Sequence, residues 1–219
     1  SVKKSAQGFS PGFRRFRRSK PVLRGNTMFL IFHTSPQSSI KKKEEFGMEL
    51  WDLYTRDRKP TGETHVRGEK LPADRYHLVV HVWLKNRKGQ YLISQRAANR
   101  PTHPLFWACV GGAVLQGESS MQGALREVKE EVGVDLYAAN GRLLFTKIRD
   151  SIDSTSYHDI LDVWLFEYDG EAHLSRALTD EVAQTRWLSP VQIQELYTAH
   201  QLVGTLSYFF ENVEGLSNP

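Results

Sequence analysis

Runs of β-branched and apolar residues, separated by turn signals, divide most of the chain into predicted strands. The clearest run is HLVVHVWLK at 77–85, and the tetrapeptide NRKG turns it into a second predicted strand at 90–96. Upstream, MELWDLY and GETHVRG flank a turn that contains Pro60 and Gly62, so we expect an N-terminal hairpin. Further strands are predicted at 106–112, 142–149, 159–168 and 182–189, with loops at 98–104 and 150–157.

The strongest helical pattern follows the predicted strand at 106–112. A serine, Ser119 or Ser120, can cap the start of this helix, and Gly133 can end it. Its apolar residues recur at helical spacing, which predicts the buried face. They are Met121, Leu125, Val128 and Val132.

Two more helices are predicted near the end of the chain. The segment 190–200 begins with Pro190 directly after Ser189, a favourable pair for the first helical position and the N-cap. The segment 202–212 is also predicted to be helical, although Gly204 weakens the pattern. Strands interrupted and followed by helices indicate an α/β fold in which helices cover a mixed sheet.

Acidic residues are concentrated on one face of the first predicted helix. Glu127, Glu130 and Glu131 are spaced i, i+3 and i+4, so their carboxylates lie side by side, while Glu118 precedes the helix and Asp135 follows it. Like charges at these spacings repel one another, so either the face is solvated or a cation binds there. Mg²⁺ or Mn²⁺ fits best, because both prefer carboxylate and carbonyl oxygens as ligands.

A divalent metal at this face suggests chemistry on phosphates. Mg²⁺ commonly bridges protein carboxylates to substrate phosphates, which points to metal-assisted attack of water on a phosphoryl group. Arg126 lies among the acids and can pair with a carboxylate or a phosphate. Gly111 and Gly112 permit close approach of a ligand to the backbone, and Arg96 is a candidate phosphate contact at the end of a strand.

Composition indicates a protein that does not depend on disulfides or on a membrane span. The 219 residues are 40% hydrophobic and 25% charged, which is typical of globular domains. Cys109 is the only cysteine, so we expect a reducing compartment and a cytoplasmic protein. No apolar run of about 18 residues occurs, so no transmembrane helix is expected.

Charge separates residues 1–47 from the rest of the chain. Residues 1–43 contain 11 Lys and Arg and no acid, while residues 44–219 contain the other 18 and all 25 acids, a net charge of −7. The preferred interpretation of 1–47 is a basic, disordered tail or non-native leader, with the folded domain at 48–219. An organelle transit peptide and a nucleic-acid-binding arm around FRRFRR are the alternatives.

Residues 112–134 resemble the Nudix box, G-x5-E-x7-R-E-U-x-E-E-x-G-U, where U is aliphatic, and every fixed position agrees. The matching residues are Gly112, Glu118, Arg126, Glu127, Val128, Glu130, Glu131, Gly133 and Val134. The strand pattern around the box and Trp107 upstream of it are similar to the same family over roughly residues 48–212.

This resemblance implies an α/β/α sandwich around a mixed sheet, and a hydrolase of nucleoside diphosphates linked to another moiety. It implies that Glu127, Glu130 and Glu131 bind the metal, with a carbonyl of Gly111 or Gly112 as a further candidate ligand. Glu118 and Arg126 would support the loop and orient the glutamates. The general base varies across the family, and the sequence does not identify it.

A rival interpretation comes from the segment before the box, which is similar to the front of isopentenyl diphosphate isomerases. Those enzymes share the fold, but they isomerise a double bond with a cysteine acid/base and a histidine-rich metal site. Here Gly111 occupies the cysteine position, and Cys109 lies two residues too early. His77 matches one metal histidine, whereas Lys70 and Ala113 stand where the others are expected.

The combined expectation is a cytoplasmic pyrophosphohydrolase that uses Mg²⁺ or Mn²⁺ and cleaves a diphosphate linkage in a small-molecule substrate. The isomerase is the first alternative, and a non-catalytic module that binds nucleotides or RNA is the second. No membrane partner is expected, nucleic acid is expected only through the basic leader, and a homodimer is plausible because the sheet has edge strands.

Overall fold

The computed structural model describes residues 49–152 and 155–211 together with Leu216. The predicted basic leader at 1–47 therefore lies outside the described residues. The strands in the described part are β1 (Leu50–Tyr54), β2 (Pro60–Val66), β3 (His77–Lys85), β4 (Tyr91–Arg96), β5 (Trp107–Ala108), β6 (Val110–Ala113), β7 (Gly141–Ile152), β8 (Thr155–Glu167) and β9 (Val182–Leu188).

The main sheet is mixed and has seven strands. Its central path runs β5-β4-β3-β8-β7, with β6 paired to β3 and β9 paired to β4. Strands β3 and β8 are parallel in register from His77↔Asp159 to Lys85↔Glu167, and the other pairs are antiparallel. The predicted N-terminal hairpin forms a separate two-stranded sheet, β1-β2.

The sheet splits at its centre. Strands β3 and β4 pair at Lys85↔Tyr91, and then β3 continues with β6 while β4 continues with β5 and β9. The segment predicted as one strand at 106–112 is therefore two short strands that are interrupted at Cys109. One of them, β5, pairs with β4, and the other, β6, pairs with β3. This split opens the sheet beside Gly111 and Gly112.

A hydrophobic core lies on each face of the sheet because successive residues of β3 point to opposite faces. Leu78, Val80, Val82 and Leu84 belong to the core beneath helix α1 (Ser120–Val132). Trp83 belongs to the other core, which helix α2 (Pro190–Thr198) and a 3-10 helix (Gly204–Phe210) cover. The predicted α/β/α sandwich is confirmed. No helix in the described residues has the length and apolarity that a membrane crossing requires.

Helix α1 is fixed at both ends. The Ser119 hydroxyl accepts a hydrogen bond from the Gln122 amide, and the Gln122 side chain accepts one from the Ser119 amide, which together form a capping box. Gly133 ends the helix at a φ of 67°, where a Cβ would clash with the backbone oxygen of His173. The predicted cap and stop are both confirmed.

The buried face of α1 differs from the prediction by a small rotation. Val128 and Val132 are buried as expected, but Ala124 is the third central residue, and Met121 and Leu125 are only partly buried at the edge. The apolar pattern predicted that these two larger side chains are central. Instead α1 packs closely on the sheet through small residues such as Gly123 and Ala124.

Two boundaries were wrong. The loop predicted at 150–157 is mostly strand, because β7 and β8 form a long hairpin in which Ser151 pairs with Ser156 and Ile152 with Thr155. The polar composition suggested a loop, but antiparallel backbone pairing does not require apolar residues. The helix predicted at 202–212 is the 3-10 helix at Gly204–Phe210.

Candidate active site

The N-terminal hairpin holds the loop that leads into α1. The Gln116 amide donates to the Leu50 carbonyl at 2.7 Å, and the Gly117 amide donates to the Asp52 carboxylate at 2.8 Å. Gly117 has a φ of 77°, a conformation that glycine adopts without strain. The hairpin thus places Glu118 at the start of the acidic face, a long-range contact that the motif alone does not reveal.

Arg126 organises the carboxylates of this face. Its Nε donates to both oxygens of Glu118, at 2.9 and 3.2 Å. Its Nη1 donates to Glu127 Oε1 and Glu130 Oε2, each at 2.9 Å, and its Nη2 donates to the Ala113 carbonyl at 2.7 Å. A single guanidinium therefore joins three carboxylates to the backbone of β6.

The geometry leaves oxygens of these carboxylates available to a ligand. Arg126 engages one oxygen of Glu127 and one of Glu130, so Glu127 Oε2 and Glu130 Oε1 are not held by it. A Cβ on Gly112 would lie 2.4 Å from Glu127 Oε1, so any larger residue would displace this carboxylate. Gly112 is therefore required for the packing of Glu127 against the backbone.

Electrostatics show that Glu127, Glu131 and Glu181 form one group of acids. Burial is the main cause that raises the pKa of Glu127 to about 7, Arg126 opposes the increase, and Glu130 and Glu181 add to it. Burial, followed by the charges of Glu127 and Glu181, raises the pKa of Glu131 well above its ordinary value. Burial makes the ionised form of these acids costly and their mutual repulsion adds to the cost, so a cation would stabilise the ionised form.

Glu181 is the residue that the sequence analysis missed. It precedes β9, far from the box in sequence, and pairs with Arg100 at 2.8 Å. Its carbonyl accepts from the Ala97 amide at 2.8 Å, and nearby amides of Leu178 and Thr179 donate to the Glu130 carbonyl. These bonds attach the segment 178–181 to α1 and to the end of β4. No motif marks Glu181, because only the pairing of β9 with β4 brings it to the site.

The donor chemistry fits a divalent metal, but the side chains are not arranged as a finished metal centre. Carboxylates and carbonyls are the ligands that Mg²⁺ and Mn²⁺ prefer, and the glutamates gathered at α1 supply them. Among the described residues, however, no three His, Cys, Asp or Glu side chains converge on one metal position. A metal would have to draw these carboxylates together, which the free oxygens of Glu127 and Glu130 allow.

A cavity of about 590 Å³, which we call the site cavity, lies beside Gly111. Its lining includes His81, Arg96, Gly111, Arg149, Tyr157 and Leu206. Arg96 donates to the carbonyl and hydroxyl of Thr102, and its charge opposes the rise in the pKa of Glu131, so it lies between the cavity and the acids. A larger cavity of about 880 Å³ at the end of β3 contains no residue of the predicted site in its lining.

Arg149 also lines the site cavity. It donates to both oxygens of Asp159, at 2.6 and 2.7 Å, and its guanidinium lies 5.0 Å from the centre of the Tyr157 ring. The Asp159 carboxylate offsets the charge of the Arg149 guanidinium. The guanidinium lies over the Tyr157 ring, and this contact holds Tyr157 at the cavity. Tyr157 itself lies in the cavity lining.

The residues that suggested an isomerase are arranged differently. Cys109 is buried, and burial raises the pKa of its thiol, as expected for a small core residue. His77 is buried and stacks on Trp51 with 4.0 Å between ring centres. Burial lowers the pKa of His77 to about 4. These positions do not bring a cysteine acid/base and a histidine cluster together.

Comparison with known proteins assigns the family. The NUDIX domain model matches residues 75–208, so the chain belongs to the Nudix family. It is 37% identical over 169 residues to an uncharacterised Nudix hydrolase of Listeria innocua, covering 75% of this chain and 92% of that protein. A Nudix hydrolase of Listeria monocytogenes is 35% identical over the same shares. The protein is a Nudix hydrolase, as predicted.

The isomerase likeness is more distant. The isopentenyl-diphosphate Delta-isomerase of Escherichia coli is 33% identical over 78 residues, covering 35% of this chain and 43% of the isomerase.

Among solved structures, a Deinococcus radiodurans protein is similar with a TM-score of 0.60 at 24% identity, covering 76% of this chain and 99% of that one. This likeness supports the fold alone.

Proposed function

We propose that this Nudix hydrolase is a divalent-metal-dependent pyrophosphohydrolase that cleaves a diphosphate linkage in a nucleoside diphosphate derivative or a similar compound. The observation that carries the proposal is the group of partly buried acids, Glu127, Glu131 and Glu181, beside a cavity whose lining contains Arg96. A diphosphate needs positive charge around its oxygens, and the metal and arginine together would provide it.

Glu127, Glu130 and Glu131 would hold Mg²⁺ or Mn²⁺, with a carbonyl of Gly111 or Gly112 as a further ligand. When bound, the metal would polarise the phosphoryl oxygens and lower the pKa of bound water. Glu118 and Arg126 would orient the metal-binding glutamates. Arg126 donates hydrogen bonds to Glu118, Glu127 and Glu130, but not to Glu131. Arg96 would contact a phosphate from the cavity side.

Glu181 is our candidate for the general base. It is a carboxylate beside Glu127 and Glu131 that Arg126 does not engage. We expect Glu181→Gln to lower kcat by about 10²-fold, because a positioned general base typically contributes 10²- to 10⁴-fold. Steady-state kinetics at saturating Mg²⁺ measures this effect. Asp180→Asn, at the exposed neighbouring position, is the matched control and should retain wild-type kcat; unchanged kcat in Glu181→Gln would remove Glu181 from this role.

The direct test of the function is Mg²⁺-dependent turnover of a substrate panel. The panel holds nucleoside diphosphate derivatives, nucleoside triphosphates, dinucleoside polyphosphates and isopentenyl diphosphate, and phosphate release and product structure are both measured. We expect hydrolysis of at least one nucleotide, abolished by a chelator. Isomerisation of isopentenyl diphosphate without phosphate release would establish the isomerase instead. Nucleotide binding without any turnover would establish a non-catalytic module.

A further inference from the structure

The strand β3 carries a polar side chain, His81, at its centre, on the face that α2 and the 3-10 helix cover. His81 lies on the same face as Trp83 and lines the site cavity. A strand whose other central residues are apolar gives little reason to keep an imidazole there for packing. Its hydrogen bonds show how it is held.

Tyr208 anchors one side of the His81 ring. The Tyr208 hydroxyl is buried and lies 2.8 Å from His81 Nδ1 and 3.1 Å from Trp83 Nε1. The indole N–H can only donate, so the Tyr208 oxygen accepts from Trp83. The Cys109 thiol is also beside this hydroxyl, but sulfur is a weak acceptor. The single hydroxyl hydrogen therefore goes to the strongest acceptor present, the Nδ1 of a neutral imidazole.

An Nδ1 that accepts from the Tyr208 hydroxyl leaves the one proton of a neutral imidazole on Nε2. Within the described residues, Nε2 has no hydrogen-bond partner. The ring edge that carries Cδ2 and Nε2 lies against Gly111, with Cδ2 3.2 Å from the place of a Gly111 Cβ.

We propose that Tyr208 locks His81 in the Nε2–H tautomer and that this N–H donates a hydrogen bond to a phosphate oxygen of the substrate. The proposal rests on the diphosphate chemistry proposed above and adds a specificity-determining donor to it. Gly111 adjoins Gly112, which packs on Glu127, so the donor lies next to the predicted metal-binding acids. Arg96 lines the same cavity, while none of the residues in the lining is Asp or Glu.

A neutral donor suits this position better than a charged one. A protonated imidazole here would compete with the metal for the carboxylates, whereas a neutral N–H recognises phosphate and leaves the acids free. The donor is also rigid, because Tyr208 is fixed in turn by Trp83. A rigid donor at one phosphate position discriminates between substrates that place an acceptor there and those that do not.

Nitrogen NMR of the full chain with ¹⁵N-labelled histidine tests the tautomer without any turnover. The His81 signals are assigned by their loss in His81→Gln. We expect the Nε2–H pattern in the wild type and a mixture of tautomers in Tyr208→Phe, which removes the hydroxyl. The Nδ1–H pattern in the wild type would overturn the proposal.

The same spectra test the phosphate contact with methylenediphosphonate, a diphosphate that cannot be hydrolysed, added with Mg²⁺. A shift of His81 Nε2 on binding supports the hydrogen bond. Failure of the analogue to bind, or binding that leaves Nε2 unmoved, would overturn it. Because this measurement needs no catalysis, it stands even if the substrate panel shows no hydrolysis and the proposed function fails.

Kinetics on a substrate from the panel provides the third test. His81→Leu removes the donor, and we expect KM to rise about 10- to 100-fold, as loss of a hydrogen bond to a charged group typically produces. His81→Gln keeps an N–H at similar reach and should recover most of this loss, which a purely structural role would not predict. His173→Gln, an exposed histidine elsewhere, is the control with unchanged KM. Wild-type KM in His81→Leu would contradict the proposal.

Discussion

Glu131→Gln should lose turnover by roughly 10²- to 10³-fold while it keeps the fold. The carboxylate of Glu131 lies beside Glu127 and Glu181, and burial, followed by these two charges, raises its pKa well above the ordinary value. A neutral amide of the same shape removes this repulsion, so the metal-free protein should be no less stable. The same change removes a metal ligand, and a bound metal contributes several kcal/mol to phosphoryl chemistry. Kinetics with a Mg²⁺ titration and chemical denaturation in EDTA measure the two effects.

The matched control is Asp135→Asn. Asp135 is exposed just beyond the same helix and pairs only with Lys129 at 2.7 Å among the described residues. Both substitutions remove one carboxylate charge from one end of α1, but only Glu131 belongs to the group formed with Glu127 and Glu181. We expect Asp135→Asn to retain wild-type turnover and metal dependence. Near wild-type activity in Glu131→Gln would exclude Glu131 from the metal site.

The parts of this site that a sequence can predict are those that one helix brings together. Glu127, Glu130 and Glu131 share a face because of helical spacing, and Ser119 and Gly133 set the helix ends by local backbone chemistry. All these features depend on residues a few positions apart. They were predicted with the correct bounds because no tertiary contact is needed to establish them.

The parts that the sequence concealed depend on pairing between distant strands. Glu181 reaches the acids because β9 pairs with β4, and the Ala97 amide binds its carbonyl. Likewise, Asp52 holds the Gly117 amide only because the hairpin packs on the loop before α1. An isolated acid within a strand or just before one has no motif, so spacing along the chain could not distinguish either residue from a solvated one.

His81 had a signal that was too weak to interpret alone. A polar residue inside an apolar strand must either face solvent or find a partner, and the strand period places it with Trp83. Its partner, Tyr208, lies in a 3-10 helix more than a hundred residues later, where the predicted α-helix was wrong. The tautomer therefore follows from tertiary structure, although the need for a partner follows from the sequence.

Arg126 should tolerate no replacement, including lysine. We expect Arg126→Ala to lower the free energy of unfolding by about 1 to 3 kcal/mol, because it leaves partly buried carboxylates without their partner. Arg126→Lys should recover only part of this loss. Lysine provides one compact charge, whereas the guanidinium bonds Glu118, Glu127, Glu130 and the Ala113 carbonyl together. Turnover should fall about 10²-fold in both variants, since the glutamates lose their orientation. Denaturant unfolding and kinetics measure these effects.

Lys129→Ala is the control for Arg126, because it removes a positive charge from the exposed side of the same helix. Its ion pair with Asp135 is exposed, so stability should change by less than about 0.5 kcal/mol. A double-mutant cycle of Arg126→Ala with Glu118→Gln then separates their interaction from general destabilisation. We expect the two losses to be less than additive, because removing Arg126 already breaks both of its bonds to Glu118. Strict additivity, or wild-type stability and turnover in Arg126→Lys, would show that Arg126 does not organise the acids. In that case the hydrogen bonds of Arg126 would no longer indicate that Glu127 Oε2 and Glu130 Oε1 are the oxygens that bind a metal.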